Sequence, residues 1–219
     1  MDLPAALRAH RLVAIVRGDD PEAALSTVLT LIEEGVALVE VSLTGRDALD
    51  VIAQARAALG PDAPLGAGTV LTTDDAHAVH RAGADFVVTP AVCEGVGAAR
   101  GLQLPVLAGA MTPTETVAAL RAGACAVKLF PAAQAGGPAC LRALRGPFPD
   151  VPFVPVGGVD AEAARAYLNA GALAVGVGSP LIGDAADTAH AAGGSGLDGL
   201  RARARTFLDV VRAAPQDQW

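Results

Sequence analysis

The chain repeats one junction, and that repeat limits its fold more than anything else in the sequence. An amphipathic stretch ends in glycine, a small residue follows, and a short run rich in β-branched residues begins. The junction occurs as Glu34-Gly35-Val36 before 37–43 and as Ala82-Gly83-Ala84 before 85–89. It returns as Ala122-Gly123-Ala124 before 125–130 and as Ala170-Gly171-Ala172 before 173–177. Glycine suits the left-handed residue just past a helix end, so each junction reads as helix giving way to strand. Further strand-like runs lie at 12–16, 64–68, 105–108 and 152–156, which makes eight, roughly 20–27 residues apart.

Helix starts fall between the strands. Asp20 caps a helix with Pro21 at its first position, Thr112-Pro113-Thr114-Glu115 reads as a capping box, and Asp160 caps 161–170. The other helices are expected at 45–59, 73–82, 94–100, 138–144 and 197–213. Strands alternating with helices require a parallel sheet. Eight such units in 219 residues predict an α/β fold, a single (β/α)8 TIM barrel over 1–214, with an open doubly wound sheet as the runner-up. No shift of composition marks a second domain. Residues 191–199 read as a flexible loop and 215–219 as a frayed C-terminal tail.

Composition narrows the function classes. Half the chain is hydrophobic (52%) and only 3% aromatic, so the core is built of aliphatic side chains. The net charge of −7, without a basic block, argues against a nucleic-acid partner. No uninterrupted apolar run reaches the length of about 18 residues that a membrane helix needs. Asp2, Arg8, His10 and Arg11 interrupt the N-terminal segment, so it does not resemble a signal peptide. Cys93, Cys125 and Cys140 lack metal-ligand spacing and read as small buried residues in a reducing, cytoplasmic compartment. His77 and His80 sit one turn apart on a solvated helix face with no third ligand near, and His10 and His190 lie in flanking polar segments. No metal site is expected.

In a barrel of this kind, chemistry gathers at the C-terminal ends of the strands. Lys128 stands near the end of the sixth strand, in Ala126-Val127-Lys128-Leu129-Phe130-Pro131, and it is the one lysine among sixteen basic side chains. Arginine is never deprotonated in a protein, whereas a desolvated lysine can shed its proton and attack a carbonyl. The alternatives are a lysine snorkelling past the strand end or one that anchors phosphate. Glu40 lies inside the second strand, where an inward carboxyl has a raised pKa suited to moving protons. It could equally face outward beneath a helix or pair with an arginine. Arg17 ends the first strand and either forks onto a carboxylate or pairs with Asp19. Gly66-Ala67-Gly68-Thr69 ends the third strand, where small residues admit a ligand or simply make a tight turn. Gly157-Gly158 and Gly176-Val177-Gly178-Ser179 follow strands seven and eight, the usual places for a phosphate cradle.

Taken together, these motifs resemble the KDPG aldolase family, the class I aldolases of 2-keto-3-deoxy-6-phosphogluconate. The 2-keto-3-deoxy-6-phosphogalactonate and 4-hydroxy-2-oxoglutarate aldolases are close relations. The likeness runs from about Leu12 to Ile182 and includes Met111-Thr112-Pro113-Thr114-Glu115 and Gly146-Pro147-Phe148-Pro149. It implies a barrel, a homotrimer, no cofactor, and cleavage of a phosphorylated keto-acid to pyruvate and glyceraldehyde 3-phosphate. Cleavage of 4-hydroxy-2-oxoglutarate to pyruvate and glyoxylate is implied as well. Lys128 matches the Schiff-base lysine, Glu40 the general acid/base and Thr69 the threonine beside the pyruvate carboxylate. Pro90, Phe130, Gly157, Gly158, Gly178 and Ser179 match pocket-lining and phosphate-side positions.

Two departures stand out. Some members carry arginine where this chain has Thr44, while others have threonine there and an arginine matching Arg17. Arg17 is therefore expected to hold the carboxylate, with Arg46 as the competitor. Gluconate-type members read Pro-Thr-Gly-Gly where this chain reads Pro155-Val156-Gly157-Gly158, as galactonate-type members do with an apolar residue there. Two rival readings share the scaffold. One is a phosphate-binding barrel isomerase or decarboxylase using Lys128 as an anchor, although arginine would serve that role. The other is a non-catalytic sugar-phosphate sensor.

Overall fold

A computed structural model describes residues 1–187 and 195–215. Eight parallel strands run β1 (Leu12–Val16), β2 (Leu38–Ser42), β3 (Leu65–Gly68), β4 (Phe86–Val88), β5 (Val106–Ala110), β6 (Ala126–Leu129), β7 (Phe153–Pro155) and β8 (Val175–Val177). Their order is β7-β6-β5-β4-β3-β2-β1-β8, and the Val156–Gly176 bridge joins the two ends into a closed barrel. Leu173 N–H donates to the Phe153 carbonyl at 2.9 Å on the same seam. The fold is a single (β/α)8 barrel, as the alternating pattern predicts, and the open sheet is excluded.

The four junction glycines behave as read. Gly35, Gly83, Gly123 and Gly171 all have φ between 89° and 97°, which a side-chain-bearing residue adopts only at a cost. The caps hold too. Asp20 accepts from the N–H groups of Glu22 and Ala23 ahead of α2 (Pro21–Glu33), and Thr112 forms a capping box with Glu115 at α6 (Pro113–Ala122). Asp160 accepts from Ala163 N–H ahead of α8 (Ala161–Asn169).

Strand alternation divides the core in two. Val39, Val41, Val127 and Leu129 point outward into the aliphatic layer between sheet and helices. Leu38, Phe86, Leu107 and Val154 point inward and fill the barrel. Below them sits an element the sequence reading omits. The helix α1 (Leu3–His10) is capped by Asp2, and its Leu3 and Leu7 are wholly buried in the inner cluster, closing the N-terminal end of the barrel.

Other boundaries also differ. The helix after β2, α3 (Ala48–Leu59), begins at Ala48 rather than Gly45, because 44–47 is held as a loop by Gly45 N–H to the Ser42 carbonyl and Arg46 N–H to the Gly18 carbonyl. A four-residue helix, α9 (Ser179–Ile182), follows β8. The helix expected at 197–213 is the long final α10 (Ser195–Ala213), which takes in 195–199 from the expected loop, while 188–194, with His190, lie outside the described residues. Of the expected tail, Pro215 is described and held by Arg11, whose guanidinium donates to the Ala214 and Pro215 carbonyls; 216–219 lie outside. The cysteines carry free thiols and are half-buried rather than buried. Among the described residues no helix is long and apolar enough to cross a membrane.

Candidate active site

The inner face of the barrel changes character from floor to mouth. On β2 the inward residues are Leu38, Glu40 and Ser42, and on β6 they are Ala126 and Lys128. Parallel pairing places Glu40 beside Ile15 and Gly66, and Lys128 beside Gly109 and Val154. Glu40 is 2% exposed and Lys128 6%. Burial pushes the Glu40 carboxyl above its ordinary value, and the opposing charge of Lys128 offsets this only in part. A carboxyl raised in this way is better suited to moving protons than an ordinary one.

Glycines on the strands keep the barrel interior open, and Gly68 makes room for Glu40. A Cβ on Gly68 would lie 2.5 Å from Glu40 Oε1. One on Gly66 would enter the Phe86 ring, one on Gly109 would strike the Pro90 carbonyl, and one on Gly176 would lie 2.6 Å from Val156 Cγ2. The glycines of β3 and β8 therefore accommodate the protein's own side chains.

Above this layer opens a cavity of about 860 Å³ at the C-terminal ends of the strands. Arg17, Thr44, Thr69, Pro90, Phe130 and Val156 line it with Glu40 and Lys128, and Gly157, Gly158, Gly178 and Ser179 line its other side. Lys128 Nζ stands 5.1 Å from the centroid of the Phe130 ring, a distance at which the aromatic face stabilises an ammonium. Thr69 has φ 62°, an uncommon conformation for a β-branched residue, and it turns the chain at the end of β3 toward the mouth. Gly157 and Gly158, with φ 98° and 69°, bring bare backbone to the wall after β7. Arg46 lies outside the cavity lining; its guanidinium is exposed and 3.9 Å from Asp47.

Ser42 and Asp187 line the cavity without any expectation from sequence, and Asp19, weighed there only as a partner for Arg17, lines it too. Ser42 lies within hydrogen-bond distance of Thr44 Oγ1 (2.8 Å) and Thr69 Oγ1 (2.9 Å). Asp19 and Asp187 face each other across the loops after β1 and β8, with Asp19 N–H donating to Asp187 Oδ1 at 3.1 Å. The inward alternation of β2 exposes Ser42 to inspection once Glu40 is read as inward, whereas Asp187 carries no local signal. Among the described residues no group of three His, Cys, Asp or Glu side chains is placed to hold a metal ion, and His77 and His80 are exposed on the helix at Thr73–Ala82.

A buried lysine and a buried carboxyl, both on the inner face of the barrel and lining an open cavity at the strand ends, are the groups that Schiff-base chemistry requires. Comparison with known proteins agrees. The family model for KDPG and KHG aldolase matches residues 3–191. The 2-dehydro-3-deoxy-6-phosphogalactonate aldolase of Escherichia coli (strain K12) is 34% identical over 94% of this chain and 96% of its own. The 2-keto-3-deoxy-6-phosphogluconate aldolase of Zymomonas mobilis superposes with a TM-score of 0.85 at 25% identity, covering 98% of this chain and all of that one. A KDPG aldolase from Legionella pneumophila, solved with pyruvate captured as a covalent carbinolamine, gives 0.81 at 28% identity over 94% and 97% of the two chains. The protein is a class I aldolase, a carbon–carbon lyase that releases pyruvate and an aldehyde. It belongs to the KDPG and KHG aldolase family.

Proposed function

We propose that the chain cleaves a 2-keto-3-deoxy-6-phospho sugar acid to pyruvate and glyceraldehyde 3-phosphate, with Lys128 as nucleophile and Glu40 as proton carrier. The observation that carries this reading is that the chain's one lysine and a buried carboxyl line the same cavity. Unprotonated Lys128 Nζ attacks the C2 carbonyl carbon, Glu40 gives a proton as the carbinolamine loses its hydroxyl as water, and an iminium forms. The iminium draws the electrons of the C3–C4 bond as Glu40 takes the C4 hydroxyl proton, and the aldehyde leaves. Protonation of the enamine at C3 and hydrolysis return pyruvate and free Lys128.

Arg17 and Thr69 hold the substrate carboxylate, with Thr44 beside them. Pro90 and Phe130 flank the reacting carbons. The backbone at Gly157, Gly158, Gly178 and Ser179 receives the phosphate. Val156 in place of a hydroxyl donor favours the galactonate epimer at C4. 4-Hydroxy-2-oxoglutarate, which yields pyruvate and glyoxylate, fits the same carboxylate and lysine positions. The family resemblance supports a homotrimer, which light scattering on the purified protein tests.

The decisive experiment is chemical trapping. Pyruvate and borohydride should add one reduced pyruvyl group per chain, on the peptide containing Val127-Lys128-Leu129. Lys128→Arg keeps the charge, yet it should abolish trapping and lower turnover by several orders of magnitude, the scale of a lost covalent nucleophile. An arginine variant that turns over at a substantial share of the wild-type rate would sink covalent catalysis and favour the anchor reading.

A further inference from the structure

Three hydroxyls at the cavity mouth form a chain whose protons can be counted. Ser42 Oγ lies 2.8 Å from Thr44 Oγ1 and 2.9 Å from Thr69 Oγ1, and Thr44 N–H donates to Ser42 Oγ at 3.4 Å. All three residues line the cavity, but Ser42 is only 3% exposed, whereas Thr44 is exposed and Thr69 half-buried.

A hydroxyl has one proton and two lone pairs. With one lone pair of Ser42 taken by Thr44 N–H, one lone pair and one proton remain for the two threonines. One threonine must therefore donate to Ser42, and the other must accept from it. Three protons serve two bonds within the chain, which leaves a single proton to point outward, on whichever threonine accepts from Ser42. A carboxylate can only accept, so the trio offers a bound substrate one hydrogen bond, from one end.

Which end is indicated by the backbone. Thr69 holds φ 62°, a conformation that costs a β-branched residue free energy and persists where the surrounding structure enforces it. Thr44 lies in the loop after β2 with its side chain exposed. We propose that Ser42 is a positioning residue that fixes the direction Thr44 to Ser42 to Thr69, so that the Thr69 hydroxyl is presented to the substrate carboxylate as an obligate donor. This rests on the reading that Thr69 meets that carboxylate. Without Ser42 the Thr69 hydroxyl rotates freely and gains another orientation to lose on binding; with it, the donor is polarised and aimed before substrate arrives.

The test measures the rate of borohydride trapping against pyruvate concentration. Ser42→Ala should raise half-saturating pyruvate roughly five- to tenfold, the scale of one net hydrogen bond, while the plateau rate changes less than about twofold. Ser42→Thr keeps the hydroxyl and should restore half-saturation to within about twofold. Thr44→Val should have a smaller effect than Ser42→Ala, because it removes a donor to Ser42 but not the outward proton.

A purely structural role would instead lower the trapped groups per chain at unchanged half-saturation, and that result overturns the proposal. So does a Thr44→Val effect as large as that of Ser42→Ala, which would mean the chain runs the other way. Thr69→Ala separates the two levels. If it leaves half-saturation unchanged, the carboxylate reading itself fails; if it weakens pyruvate while Ser42→Ala does not, only the relay fails.

Discussion

In the proposed mechanism Glu40 acts on carbons bound to Lys128, from a strand whose neighbour would ordinarily fill that space. The neighbour is Gly68, and any side chain there meets Glu40 Oε1 at 2.5 Å. Gly68→Ala therefore tests position without removing a functional group. The atom struck is the far end of a flexible side chain, so folding should survive while the carboxyl moves aside. Displacing a proton carrier by about an ångström costs on the order of a hundredfold, so kcat should drop by about that factor with the melting temperature shifted only a few degrees. A variant that keeps full turnover would remove Glu40 from the proton-transfer role. Val156 offers a second residue-scale test. It lines the cavity just before the glycine pair and is 5% exposed. Val156→Thr exchanges a methyl for a hydroxyl at nearly constant volume. It should shift the kcat/KM ratio toward the gluconate epimer by roughly tenfold, the worth of one hydrogen bond of about 1–1.5 kcal/mol. An unchanged ratio in a coupled pyruvate assay on both epimers would place C4 recognition elsewhere.

At the scale of elements, α10 is fastened to α2 through two adjacent acids, Glu33, which meets Arg201 Nη2 at 3.0 Å, and Glu34. Glu34, just past the end of α2, accepts from Arg201 Nη1 at 2.9 Å and Arg205 Nε at 2.7 Å. The Arg205 hydrogen bond, followed by that of Arg201, lowers the Glu34 carboxyl from its ordinary 4.5 to about 2. A carboxyl depressed by folding adds stability above its unfolded value and loses it as pH falls toward the folded one. The contribution is thus complete above about pH 5 and gone near pH 2. Glu34→Gln should lower the melting temperature at pH 7 and converge on the wild type as the buffer approaches pH 2. Curves that stay parallel from pH 7 to 2 would show that the pair adds nothing.

The same scale shows what could be read from sequence. Junction glycines and capping boxes are local signals, and they gave the strand–helix alternation correctly. The first helix is weakly legible because its eight residues carry one apolar pair, Leu3 and Leu7, too few to establish a helical period against Arg8 and His10. The helix at Ser179–Ile182 is too short to show a period. The 44–47 loop depends on a bond from Arg46 N–H to Gly18, far away in sequence, and so does the Ser42–Thr69 contact, 27 residues apart. Lys128 and Glu40 were legible because each is a polar exception inside an apolar strand. Ser42 is legible only once Glu40 is read as inward, and Asp187 is not, because its contact with Asp19 forms only in the closed barrel.

Across the whole molecule the barrel separates stability from chemistry along its axis. The helix at Leu3–His10 closes the N-terminal end with two leucines that have no solvent exposure, packed in the inner cluster with Val13, Leu38, Phe86 and Leu173. Glu40 and Lys128 stand nearer the opposite end, where the interior side chains give way to the open cavity. Leu7→Ala tests that division. Truncating a fully buried leucine costs about 2–5 kcal/mol in transfer and cavity terms, and in a protein of this size each kcal/mol is worth about 2–4 °C. The variant should melt roughly 5–15 °C lower, because the floor of the barrel is left with a void that its neighbours fill only in part. The inner layer above Leu7 is packed by side chains already in close contact, so the void should relax sideways around α1 before it disturbs Lys128 or Glu40. Half-saturating pyruvate in the trapping assay should accordingly stay within about twofold of the wild type when measured well below the lowered melting temperature. A large rise in half-saturation at 25 °C would show that the floor helix sets the geometry of the lysine layer, and that the two ends of the barrel are coupled.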